Sequence, residues 1–150
     1  VYGELIQITP FPDTTLTGVN GESISTREFR GKWLMVQIDN GECDSRCNRK
    51  LWLMRQLRLT QGKNMDRIVR VWLISNNAVV EPRLFSEYQG TMMLRAPPEV
   101  QRMLPANSDP RGHLWLVDPL GNVMMRYGVD ADPSGIKKDL LRLLKVSQIG

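Results

Sequence analysis

Cys43 and Cys47 are the only cysteines in the chain, and they stand in Gly41-Glu42-Cys43-Asp44-Ser45-Arg46-Cys47. An apolar run, residues 33–38, precedes them, and an amphipathic one, residues 48–59, follows. On a helix, positions i and i+4 share a face, so both sulfurs can reach one metal ion or each other. A disulfide needs Cα atoms about 4.4–6.8 Å apart, and consecutive helical turns offer about 6 Å. The spacing suits a metal better than disulfide exchange and leaves both open. A helix N-terminus and nearby Arg46 favour thiolate, whereas Asp44 and Glu42 oppose it and attract a cation.

Elsewhere the composition is that of an ordinary globular protein: 41% hydrophobic and 24% charged residues need no disulfide scaffold to fold. Two cysteines are too few for such a scaffold, so their placement reads as chemistry. The net charge of +4 is too mild to point to nucleic acid. It is unevenly placed, because Arg46, Arg49, Lys50, Arg55 and Arg58 follow Cys43 with Asp44 as the one acid among them. That row reads as a solvated helix face, or as a surface for an acidic partner. No stretch approaches the ~20 apolar residues of a membrane span. A chain of 150 residues fits one domain, residues 1–150.

The elements that must hold the cysteines can be read in order. Residues 3–10 form a short strand, and residues 16–24 carry Asn20-Gly21 between apolar alternations, a hairpin signal. A helical turn at 25–30 brings Phe29 inward. Residues 33–38 read as a strand buried on both faces. A helix over about 44–61 places Leu51, Trp52, Met54 and Leu57 on its apolar side and ends at Gly62. A second buried strand spans 68–75, which completes a right-handed βαβ unit. A short helix to Tyr88, a strand at 91–94 and a helical turn at 98–104 follow. Residues 113–117 and 122–127 make a hairpin across Asp118-Pro119-Leu120-Gly121, and a last helix runs from Asp132-Pro133 to about Leu144. Trp33, Trp52, Trp72 and Trp115 read as core, as does one methionine from each of Met92-Met93 and Met124-Met125.

This order, βαβ first and ββα last, resembles a thioredoxin-like α/β fold: a central mixed sheet flanked by helices, here with an N-terminal β-hairpin extension. In such folds, counting back eight residues from the glycine of the final hairpin reaches the residue that touches the cysteines. Here that count from Gly121 gives His113, the only histidine. Two thiolates and an imidazole form a three-ligand soft site, suited to Cu(I) and able to take Cu(II) or Zn(II).

With Gly31-Lys32 before the first buried strand, Cys43-x-x-x-Cys47 opening a helix, and Leu116-Val117-Asp118-Pro119-Leu120-Gly121 in the final turn, the chain resembles the Sco/SenC family of copper-handling proteins. The resemblance covers nearly the whole length. It implies a copper metallochaperone with a thiol-redox pair, serving assembly of the copper centre of cytochrome c oxidase. The ligands would be Cys43, Cys47 and His113, and the partner the oxidase copper subunit or another copper or thiol-redox protein. It also implies a periplasmic domain tethered by an N-terminal helix preceding Val1. Two positions depart from the family pattern. Asp44 and Asn48 replace the prolines after each cysteine, and Pro110 stands at the family's histidine position, three residues before His113. Two rivals to the copper reading follow from the same residues. One is a metal-free thiol–disulfide oxidoreductase in which Cys43 attacks and Cys47 resolves. The other is a docking protein that binds through the basic helix, Arg49 and Arg55 included.

Overall fold

In a computed structural model, which describes residues 2–147, every one of those elements forms. Eight strands make one sheet in the order β1-β8-β7-β4-β5-β6-β2-β3. Its centre is β4 (Trp33–Asp39) and β5 (Ile68–Ile74), paired in parallel, with β6 (Thr91–Arg95) parallel to β5. β7 (His113–Val117) lies antiparallel to β4, and β8 (Asn122–Gly128) antiparallel to β7. The mixed sheet of a thioredoxin-like fold is therefore present. The N-terminal extension divides: β1 (Glu4–Pro10) lines the β8 edge, while the β2 (Thr15–Gly18)–β3 (Ser23–Ser25) hairpin extends the β6 edge.

Each face of the sheet carries its own core. On one, α1 (Ser45–Leu59) and α4 (Pro133–Ser147) pack Leu51, Met54, Leu57, Ile136 and Leu140 onto Trp33, Met35, Trp72, Leu114 and Leu116. The opposite core joins Leu34, Val36, Ile38, Trp115 and Val117 to Phe11, Phe29 and Leu104. Strand alternation explains the split, since neighbours along β4 and β7 point to opposite faces. Met93 and Met125 are buried while Met92 and Met124 are only partly so, one core member per pair.

Two sequence expectations need correcting. Trp52 is 42% exposed rather than core, because α1 seats Leu51 and Met54 on the sheet and turns Trp52 toward Pro133 and Lys137. Lys50 is not on the solvated basic face. Its side chain is fully buried, and its ammonium lies 2.8 Å from the equally buried Asp39 carboxylate. Among the described residues no helix is long and apolar enough to cross a membrane.

Candidate functional site

The cysteines occupy the junction at the C-terminal end of β4, where a parallel strand hands over to its crossover helix. Asp44 caps α1, its Oδ1 accepting from the Cys47 amide at 2.9 Å. Cys43 therefore lies just outside the helix and Cys47 in its first turn. Asn48 donates to the Cys43 carbonyl at 2.9 Å and holds the peptide over the helix start. Cys43 adopts φ +51°, the only non-glycine residue in the left-handed region among those described. That conformation is uncommon without glycine and clusters at functional sites. It turns the Cys43 side chain back onto α1, and the two cysteines form a disulfide with Cα atoms 4.9 Å apart. Both cysteines are buried, Cys47 fully and Cys43 with 7% exposure, so Cys43 is the more accessible of the two.

The loop before Cys43 is held from the segment that follows β5. Asn76 accepts from the Gly41 amide and donates to Glu42, both at 2.8 Å. That donation draws the Glu42 carboxyl below the usual carboxylate range. A side chain at Gly41 would place its Cβ 2.7 Å from the Ala78 carbonyl, so only glycine lets the two loops approach this closely.

On the other side of the junction, Arg46 in α1 donates to Asp109 at 2.9 Å, and Asp109 also accepts from the Arg111 amide and guanidinium. This latch ties the segment before β7 to the cysteine helix. Burial pushes the Asp109 carboxyl upward, but the Arg111 amide and the two guanidinium groups outweigh it, and it is lowered to about 2. The unfolded carboxyl titrates near 4, so the unfolded chain binds the extra proton between those values. The latch's contribution is complete above about pH 4 and lost as pH falls through about 2. Amide hydrogen exchange at Arg111 should accordingly quicken across that window in the wild type, and be pH-independent beyond intrinsic exchange in Asp109→Asn.

His113 opens β7, as the count from Gly121 expects, yet its ring does not share the cysteines' face. Leu114 and Leu116 point into the core that contains Cys43 and Cys47, while Trp115 and Val117 point into the opposite one. Alternation puts His113 with Trp115, and their rings meet edge-on at 5.5 Å. Burial and the nearby Arg126 guanidinium hold the imidazole pKa below its ordinary value. Among the described residues no three His, Cys, Asp or Glu side chains converge into a metal-binding group. Two soft donors are thus brought together, and the third lies with Trp115 on the other face of the sheet.

The sequence of residues 33–147 matches the family model described as "Transmembrane-like, thioredoxin-like, C-terminal domain". The chain belongs to that family. No curated protein sequence matches this thioredoxin-like domain. Its backbone is similar to yeast Sco1 with copper bound, at 15% identity and a TM-score of 0.73, covering 92% of this chain and 90% of that one. A SCO1/SenC family lipoprotein from Bacillus anthracis gives 14% and 0.68, covering 90% and 95%. BsSco, a member of the Sco family of cytochrome c oxidase assembly proteins in which a disulfide switch was identified, gives 12% and 0.67, covering 93% and 95%. At these identities the likeness establishes a shared fold, which is the Sco-like fold expected from the sequence.

Sequence reasoning missed three residues behind the sulfurs of this thioredoxin-like domain. Gln37, fully buried on β4, donates its Nε2 toward Cys47 Sγ at 3.7 Å. Asp39, two residues on and on the same face, accepts from the Asn40 amide and pairs with Lys50. Lys50 directs its well-aligned hydrogen bond to the Ile38 carbonyl at 2.9 Å. Burial pulls the Lys50 ammonium below its ordinary pKa, and Asp39 opposes that fall. The available signal was polar residues inside an otherwise apolar strand, Gln37 and Asp39 in Trp33-Leu34-Met35-Val36-Gln37-Ile38-Asp39.

Proposed function

We propose that this domain is a Sco-like thiol-redox and copper-handling protein, with Cys43 and Cys47 as its working pair. The observation that carries the reading is a lone cysteine pair at the strand-to-helix junction, joined as a disulfide with Cys43 its less buried member. Reduction by an external dithiol adds two electrons and two protons and frees both thiols. The reduced pair offers two soft donors to Cu(I) as cargo, and binding displaces the thiol protons. The fold shared with copper-bound yeast Sco1 and with BsSco supports this role and a place in assembly of the copper centre of cytochrome c oxidase. A disulfide-forming pair fits an oxidising compartment, and we assign the domain to the periplasmic side of a membrane, tethered by a preceding segment. Its partner would be the oxidase copper subunit or another copper or thiol-redox protein.

His113 enters this reading as a third ligand only if its ring leaves the Trp115 side. Competition for Cu(I) against a chelator should show one ion bound per reduced chain and none per oxidised chain. His113→Ala should bind as tightly as the wild type if the site has two ligands, and more weakly if the imidazole joins. Absence of Cu(I) binding by the reduced wild type would refute copper handling. The position of His113 also favours a second reading, metal-free thiol–disulfide exchange in which Cys43 is the sulfur reached from solvent. That reading requires turnover on a disulfide substrate with copper chelated away.

A further inference from the structure

Gln37 is a buried amide with one of its two polar atoms unpaired. Its Nε2 points at Cys47 Sγ, but its Oε1 is sealed from solvent and meets no hydrogen-bond partner among the described residues. A buried acceptor without a donor is costly, and natural cores rarely keep one without a reason. The sulfur it faces supplies the reason. In the disulfide, Cys47 Sγ has no hydrogen and is only a weak acceptor. In the dithiol the same sulfur carries an S–H donor, and a half-turn of the amide about its terminal torsion pairs Oε1 with that hydrogen in exchange for the Nε2 contact; without the turn, Nε2 keeps a sulfur that is a better acceptor once reduced, and best as a thiolate. This torsion is broad and two-fold, so the rotation meets little intrinsic resistance.

We infer that Gln37 is a positioning residue that sets the redox poise of the pair, because the reduced Cys47 sulfur, as S–H donor or thiolate acceptor, offers its amide a better partner than the disulfide sulfur does. This inference rests on the redox reading above and adds a specific residue to it. Gln37 is anchored for the task. It is fully buried on the central strand, and Asp39 and Lys50 lock the next residue of the same face. The amide therefore favours the dithiol over the disulfide, and a side chain of similar shape without polar atoms removes that bias.

The test equilibrates wild type and Gln37→Met with mixtures of reduced and oxidised dithiothreitol and counts free thiols by alkylation and mass. Each turnover converts one protein disulfide and one reduced dithiothreitol into one protein dithiol and one cyclic oxidised dithiothreitol. The equilibrium constant for reduction should fall about tenfold in Gln37→Met, a potential about 30 mV lower. A residue that merely packs the core would destabilise both redox forms alike and leave the constant unmoved. Constants within twofold of each other would overturn the inference while leaving the redox pair intact. A wild-type disulfide that does not exchange with dithiothreitol would instead refute the redox reading, and this inference with it. If Gln37→Met fails to fold, the wild type decides. Reduction should shift the Gln37 side-chain amide resonances and slow exchange between its two amide protons, whereas unchanged resonances would overturn the proposal.

Discussion

Cys47→Ser should leave a folded domain that binds Cu(I) at least a hundredfold more weakly than the reduced wild type, and that forms a stable mixed disulfide through Cys43. Both effects follow from burial. Cys43 is the less buried sulfur position and the one a small thiol or disulfide reaches first, whereas the sulfur that would resolve the adduct is the one replaced. Cys43→Ser should lose Cu(I) as fully but trap nothing, because Cys47 is out of reach. Removing one of two thiolates leaves a single soft donor, and no other His, Cys, Asp or Glu cluster among the described residues can take over. The stability cost depends on redox state. A cross-link closing this short loop restrains the unfolded chain by about 2 kcal/mol. Denaturant unfolding should therefore separate the variants from the oxidised wild type by roughly that amount, and from the reduced wild type hardly at all. Equal Cu(I) affinity in Cys47→Ser would remove the second thiolate from the site.

Lys50→Met should be the most destabilising single replacement beneath the pair, at about 3–5 kcal/mol. The substitution keeps an unbranched chain of similar length and removes the ammonium, which strands the Asp39 carboxylate in a fully buried position. It also leaves the Ile38 carbonyl without its donor. Replacing both partners, Asp39→Leu with Lys50→Met, should recover most of the loss, since a matched apolar pair has no charge to desolvate. Chemical unfolding of the two single variants and the double variant closes the cycle. Additive losses in the double variant would show that the two charges do not depend on each other.

Cys43 and Cys47 could be found in the sequence because their spacing is local: a strand, a cap and the first turn of a helix suffice to place them. The order of the elements was equally legible, since Trp33–Asp39 and Ile68–Ile74 are mostly apolar, rich in β-branched and aromatic residues, and flank a helical pattern. What escaped depends on contacts between distant segments. Lys50 looked like one cation in a basic row because its partner, Asp39, is eleven residues earlier on another element. Counting from Gly121 placed His113 at the right end of the right strand. Period-two alternation groups it with Trp115, but only the packed helices reveal which of the two faces holds the sulfurs. The separation of β1 from the β2–β3 hairpin, onto opposite edges of the sheet, likewise has no local signal.

The most direct measurement is a redox titration of the native wild-type domain, with Cys43 and Cys47 alkylated and weighed at each poise and Cu(I) binding followed in parallel. A working pair gives one two-electron transition in which both cysteines become reactive together, and Cu(I) binds only below that transition. A disulfide that persists in the folded protein at every poise, and yields only when the chain is unfolded, would make the bond a structural staple and contradict the proposed function.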